Sequence, residues 1–210
     1  VIVAILGPDG SGKSTIADIV VAALSEEGLD ARHHAHRFGV LPPLTSFRRG
    51  STKPDAEDES KRSDVYPAYD MSENPPLRSF VYVTWYGIDY FLGGIFQRVS
   101  NLFVRRKRAA IFARYFYDYY YQSNNRRLPD GIKRLIETIV PRPQFIFFLD
   151  RDAQEIHNGK PELPVEEIVR QQQVIRDRLG GYHQFHIVDA RHGAEDAAEQ
   201  ILRLIAHQRL

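Results

Sequence analysis

Val1-Ile-Val-Ala-Ile-Leu-Gly-Pro-Asp-Gly-Ser-Gly-Lys-Ser-Thr15 opens the chain: six apolar residues run straight into a complete G-x-x-x-x-G-K-[ST] pattern at Gly7 to Ser14. An apolar run of this length without alternation predicts a strand buried on both faces. It delivers the chain to a glycine-rich turn whose backbone N–H groups can surround phosphate oxygens. The helix that follows points the positive end of its dipole at the same place. Gly7, Asp9, Gly10, Ser11, Gly12, Lys13, Ser14 and Thr15 are the expected nucleotide-binding residues. Lys13 brings a mobile positive charge. Ser14 brings a hydroxyl for a magnesium ion that bridges the terminal phosphates, because this hard cation takes oxygen ligands and keeps several waters.

The rest of the composition narrows the class. A chain of 210 residues that is 43% hydrophobic fits one domain with a sizeable core. Its formal net charge of +1 excludes a global attraction to a nucleic-acid polymer or an acidic membrane. No cysteine is present, which excludes disulfides and thiolate catalysis and fits a cytoplasmic protein. No apolar run approaches the length of a membrane span. The sequence begins inside its first strand and lacks an initiating methionine.

Beyond the loop, Ile16, Ile19, Val20, Ala23 and Leu24 recur at helical spacing, and Gly28 is placed to stop that helix. Asp30 to Arg37 predicts a second strand, polar for a buried one because of His33, His34 and His36. Residues 45–78 are polar and without sustained period, and predict an excursion of the lid or disordered kind. Ser79 to Phe103 predicts a long, largely buried helix, closed by the basic run Arg105 to Arg108. Then follow a strand at Ala109–Ala113, a helix at Gly131–Val140, a strand at Gln144–Leu149 ending in Asp150, a helix from Pro164 to Leu179, a strand at Phe185–Val188, and a helix at Ala194–Leu210. Alternating strands and helices predict a three-layer α/β/α fold of the P-loop NTPase type, with a parallel, five-stranded sheet. Ligands on such sheets bind beyond the carboxyl ends of the strands. The loop, Arg37, Arg114 and Asp150 each follow a strand there.

With these motifs in order, the chain resembles the thymidylate kinase-like branch of the P-loop nucleoside monophosphate kinases over most of its length. Asp9 matches the acid that in that family contacts the acceptor's sugar hydroxyl. Ile111-Phe-Ala-Arg-Tyr-Phe-Tyr-Asp118 resembles the family's Asp-Arg-Tyr segment, Phe145 to Asp150 its strand ending in Leu-Asp, and Lys160-Pro-Glu-Leu163 its lid region at about 153–164. Ile187-Val-Asp-Ala190 resembles the turn that approaches the donor base. The resemblance implies ATP and Mg2+ as cofactors and a small-molecule phosphate acceptor as partner, with homodimer formation left open. It implies catalytic roles for Lys13 and Arg114 and acceptor contacts from Asp9, Arg37, Arg114 and Tyr115; Lys160 and Arg170 are the candidate lid cations, and Ser14 and Asp150 the candidate metal contacts. Arginine suits the phosphate roles because its planar fork engages two oxygens.

Two positions depart from that pattern. Ala113 stands where the family has an acid before the matching arginine, with Asp118 or Asp150 as candidates to compensate. His157 and Asn158 stand where lid arginines are common, with Lys160, Arg170 or Arg176 as candidates to replace them. The histidines at 33, 34 and 36 raise a metal site or an acceptor-pocket border, and the aromatic run Tyr115 to Tyr121 raises base stacking or core packing. Trp85 and Tyr86 read as helix packing. Two functional classes follow: a phosphotransferase acting on a nucleotide or related small acceptor, and a nucleotide-binding regulatory or scaffold protein with little turnover. A guanine-reading Asn-Lys-x-Asp sequence is absent, which disfavours a GTPase.

Overall fold

The structure, a computed structural model, describes residues 1–44, 73–103 and 107–207. Five parallel strands, β1 (Ile2–Leu6), β2 (Asp30–His34), β3 (Arg108–Phe112), β4 (Phe145–Asp150) and β5 (Phe185–Asp189), form one sheet in the order β2-β3-β1-β4-β5. Every residue of β1 is buried, as the unbroken apolar run requires of the central strand. Because successive side chains on a strand point to opposite faces, β1 and β4 divide between two cores. Val3, Ile5, Phe147 and Leu149 pack with α1 (Lys13–Glu26) and the C-terminal helix; Ala4, Leu6, Ile146 and Phe148 pack with the helices of the opposite layer. The fold is therefore α/β with helices on both faces of an all-parallel sheet.

Helix α1 ends where Gly28 stops it. Gly28 has φ +89°, its N–H reaches the Ser25 carbonyl at 3.0 Å, and the Leu29 N–H reaches the Leu24 carbonyl at 3.1 Å. That pairing satisfies the last carbonyls of the helix. Helix α2 (Pro76–Phe103) begins earlier than expected, so the final part of the 45–78 excursion is helical; residues 45–72 lie outside the described residues, as do Arg105 and Arg106 of the basic run. Arg108 belongs to β3 instead. Expectation also differs from structure in burial, since α2 buries one face only and leaves a second apolar face exposed. The buried face approaches its neighbours closely. A Cβ at Gly93 would lie 2.1 Å from Phe38 and one at Gly94 2.1 Å from Pro141.

The remaining helices are α3 (Asp118–Tyr121), α4 (Asp130–Glu137), α5 (Ala153–Gly159), α6 (Val165–Leu179) and α7 (Ala194–His207). The short helix α5 lies where no helix was expected. The N-cap of α5 is Asp152, whose carboxylate accepts from the Gln154 and Glu155 N–H groups at 2.8 and 3.1 Å. Among the described residues, no helix is long and apolar enough to cross a membrane. The connection leaving β1 runs toward β2 while that leaving β3 crosses to β4, so the carboxyl end of β1 lies at the change of direction where open α/β sheets hold ligands.

Candidate active site

At that point the loop closes on itself, with the Ser11 N–H donating to the Pro8 carbonyl at 3.2 Å. Gly10 has φ +93°, a conformation that a Cβ disfavours. A Cβ there would also meet Lys160 Cβ at 3.1 Å and Ile156 Cγ2 at 3.3 Å, so α5 and the residue after it lie directly over the loop. Gly12 leads into α1 without a side-chain capping bond, and the first turn carries no acid. The leading N–H groups of α1 are thus left for an anionic ligand. Ser14 and Thr15 are exposed beside them, while the Ser11 hydroxyl is buried without a hydrogen-bond partner.

Lys13 is buried and folded back onto its own loop. Its Nζ donates to the Gly7 and Pro8 carbonyls at 2.8 and 2.7 Å and to Asp9 Oδ1 at 3.2 Å. Arg114, just beyond β3, donates to the same Asp9 oxygen at 2.7 Å. One carboxylate oxygen therefore joins cations delivered by two neighbouring strands. Burial pushes the Asp9 carboxyl up, but Lys13 and Arg114 outweigh it and hold it down at about 2. Burial lowers the Lys13 ammonium against the pull of Asp9. Burial also opposes charge on Arg114, yet Asp9 and Asp118 overcome it and raise the guanidinium above its ordinary value. With Asp9 ionised, the triad carries one positive charge in excess, which suits an incoming phosphate.

Asp118 opens α3 and is fully enclosed, with its Oδ1 accepting from the Tyr115 N–H at 3.4 Å. Burial pushes its carboxyl up to about 6, against Arg114 and Lys13. A carboxyl whose pKa is higher in the folded than in the unfolded chain favours folding while protonated. That contribution is complete below about pH 4 and is lost as pH rises through about 6. Asp118→Asn keeps the shape and the accepting oxygen but cannot ionise. From pH 5 to pH 8, its stability relative to the parent is expected to rise by about 1 kcal/mol, measured by urea unfolding at both pH values. Parallel pH profiles for the two proteins would refute this. His36, which burial lowers to about 4, is common to both proteins and cancels.

The second strand supplies the other side of the site. Arg37 lies three residues beyond the end of β2 rather than within it, because β2 stops at His34. Its guanidinium donates to the Leu41 carbonyl at 2.5 Å, faces Asp89 at 3.8 Å and sits 5.5 Å over the Tyr86 ring. Both Arg37 and Arg114 exert their charge on His36 and Tyr82, so they face a common region. There a groove of about 660 Å³ opens, with Leu44, Pro75, Leu77 and Val81 as apolar walls, Tyr82 and Tyr86 toward the arginines, and Arg78 at its edge. On the opposite flank of the loop a cavity of about 110 Å³ lies between Gly12, Ile16, Ala190 and Gly193, flanked by Arg151 and Arg191.

Several expected site residues are used elsewhere. Tyr115 has no exposed surface and donates its hydroxyl to the Pro141 carbonyl at 2.5 Å, so it is a core residue and offers an acceptor nothing. Phe116 and Tyr119 are likewise enclosed in that core. Arg170 is bound by both oxygens of Glu167, at 2.6 and 2.7 Å, and by the Tyr121 carbonyl at 2.6 Å. It braces α6 against α3 and is no lid residue. Asp150 ends β4 as expected, and its Oδ1 is engaged by Arg176 at 2.6 Å. Of the lid candidates, Lys160 lies over the loop and pairs with Glu162 at 3.1 Å. The histidines diverge: His33 pairs with Asp18, His34 stacks on Phe112, and His36 meets the Tyr119 hydroxyl. Among the described residues, no cluster of three or more His, Asp or Glu could hold a metal.

Sequence reasoning missed Asp89 and the pair Arg151 and Arg191. A lone acid inside an apolar helix is the signal that Asp89 carried. Each of the two arginines follows a strand end, which was the rule already applied to Arg114. No protein-family model and no curated protein matches this chain. The functional reading therefore rests on the geometry.

Proposed function

We propose that the protein is an ATP- and magnesium-dependent phosphotransferase, resembling the thymidylate kinase-like enzymes, that passes the γ-phosphate to a nucleotide or related small acceptor. The observation that carries the reading is the Asp9 oxygen shared by Lys13 and Arg114. It holds a donor-side and an acceptor-side cation at one point over a phosphate-binding loop. Phosphoryl transfer asks little covalent chemistry of a protein, so alignment and charge stabilisation are the work to be done. The acceptor oxygen forms the new bond to phosphorus as the bridging oxygen leaves with its electron pair on ADP. An acceptor phosphate is already anionic at neutral pH, so no residue has to remove its proton.

In this reading, Lys13 exchanges the Gly7 and Pro8 carbonyls for donor phosphate oxygens. Arg114 exchanges Asp9 for the phosphate in flight. The 660 Å³ groove, apolar with Arg78 at its edge, takes the body of the acceptor, and the small cavity flanked by Arg151 and Arg191 takes the donor base. The exposed Ser14 hydroxyl fits a magnesium ion that takes most of its ligands from phosphates and water. Bound there, the ion would neutralise charge on the phosphates.

A second reading, a nucleotide-binding regulator with little turnover, is favoured by Ala113. Its methyl group is buried in the apolar cluster under α1, where it can neither hold a metal nor orient a phosphate. Labelled ATP, magnesium and a panel of nucleotides, nucleosides and sugars separate the two. Acceptor-dependent transfer is expected; ATP binding without transfer supports the regulator instead. Ala113→Asp is expected to raise the transfer rate about tenfold or more by adding a carboxylate that would help to hold magnesium against the phosphates. An unchanged or lower rate shows that another residue already compensates.

A further inference from the structure

At the amino ends of β4 and β5, the opposite end of the strands from the phosphate loop, a cavity of about 380 Å³ opens beside the last turns of α4 and α6. Its walls carry Arg134, Glu137, Arg142, Asp177, Arg178 and Tyr182. Three guanidinium groups from three separate segments thus meet two carboxylates, which leaves one positive charge in excess. The carboxylates do not use up the cations. Glu137 accepts from the Tyr120 and Tyr182 hydroxyls at 2.5 and 3.2 Å and stands 3.6 Å from Arg178. Asp177 takes the Gln173 amide on Oδ1 at 2.7 Å and pairs with no cation among the described residues. Arg178 is held in place 3.9 Å over the Tyr120 ring. Arg134 and Arg142 form no ion pair among the described residues; Arg142 lies 5.9 Å over the Tyr182 ring.

Arginines near a helix C-terminus often cover its last carbonyls. Here those carbonyls are already met. The Arg134, Ile136 and Glu137 carbonyls accept from the Thr138, Ile139 and Val140 N–H groups at 3.2, 3.1 and 3.1 Å, and those of Arg176 and Leu179 from Gly180 and Tyr182 at 2.8 and 2.9 Å. The guanidinium donors are left for a ligand, and their planar forks suit phosphate oxygens. The volume is that of a small-molecule site and exceeds what a bare phosphate fills. Asp177 keeps Oδ2 to accept from a hydroxyl, and Tyr182 offers a ring face to the body that carries it.

We propose that this cavity is a second ligand site, separate from the phosphate loop, for a phosphate monoester of a polyhydroxyl compound, the class of the sugar phosphates. Arg134, Arg142 and Arg178 take the phosphate, and Asp177 and Tyr182 take the hydroxylated body.

Glucose 6-phosphate added to the full, 15N-labelled chain tests the site, because amide NMR signals report the cavity and the phosphate loop separately. At constant ionic strength the Arg142, Asp177 and Tyr182 amides are expected to shift saturably, with half-saturation at about 1 mM or below. Inorganic phosphate is expected to shift them with roughly tenfold weaker affinity, and glucose not at all. Arg134→Ala combined with Arg142→Ala, both at exposed positions, is expected to weaken glucose 6-phosphate at least about tenfold here and to leave shifts at Gly10 and Gly12 unchanged. Arg142→Lys keeps the charge without the fork and is the second variant, should the double variant misfold; a several-fold loss is expected. Asp177→Ala is expected to weaken glucose 6-phosphate but not inorganic phosphate. The absence of saturable shifts, shifts confined to the phosphate loop, or cavity shifts that survive both arginine variants overturns the site. Equal affinity for glucose 6-phosphate and inorganic phosphate overturns the polyhydroxyl assignment, and binding of glucose overturns the phosphate assignment.

Discussion

Lys13→Ala is expected to lower transfer by roughly a thousandfold or more, about 4 kcal/mol of transition-state stabilisation, and to weaken ATP binding at the same time. The physical basis is placement. The ammonium is buried within a loop that holds it by two carbonyls and one carboxylate, so it is already stripped of bulk water where donor phosphates would lie. A cation desolvated in advance interacts more strongly with developing charge than one that must shed water during the reaction. Single-turnover transfer from labelled ATP and titration with a fluorescent ATP analogue measure the two effects separately. Unchanged kinetics would remove Lys13 from the mechanism and the proposed function with it.

Asp89→Ala has the largest expected effect on stability. The side chain is fully buried and accepts from the Gly39 and Leu41 N–H groups at 3.0 and 2.7 Å while facing Arg37 at 3.8 Å. Truncation strands those two donors and leaves Arg37 without its buried counter-charge. Removing one partner of such a pair costs about 3–5 kcal/mol, which lowers the melting temperature by on the order of 10 °C for a chain of this size. The loop carrying Arg37 also loses its anchor, so the KM for the acceptor is expected to rise more than the KM for ATP. Asp89→Asn keeps an accepting oxygen and is expected to fall between the two. Thermal melts of the three proteins test the ranking, and a melting temperature of Asp89→Ala equal to the parent's would contradict it.

The strands and the phosphate loop were legible because their causes are local. An unbroken apolar run reads as a central strand wherever it occurs, and β1 is buried throughout. Gly28 stops α1 through its own backbone conformation. Arg114 was found by a rule that needs only the end of a strand. Tyr115, one residue later, was misjudged because an aromatic ring serves a core and a pocket equally well. Its enclosure beneath Pro141 depends on where α2 and α4 pack. The Arg170 guanidinium is likewise captured by Glu167 from three residues before it and by the Tyr121 carbonyl of another element; only the second of these depends on the fold.

By itself, the sequence determined the alternation of elements, the parallel sheet and the loop over its central strand, since each follows from periodicity, glycine placement and burial within a short window. The tertiary structure alone decided that Lys13 and Arg114 share one oxygen of Asp9, that Asp89 holds the loop of Arg37, and that α2 exposes a second apolar face. Those facts join residues as far apart in the chain as Asp9 and Arg114. Periodicity tells which residues leave water, whereas charge pairing across a buried site depends on distances that only the packed chain sets.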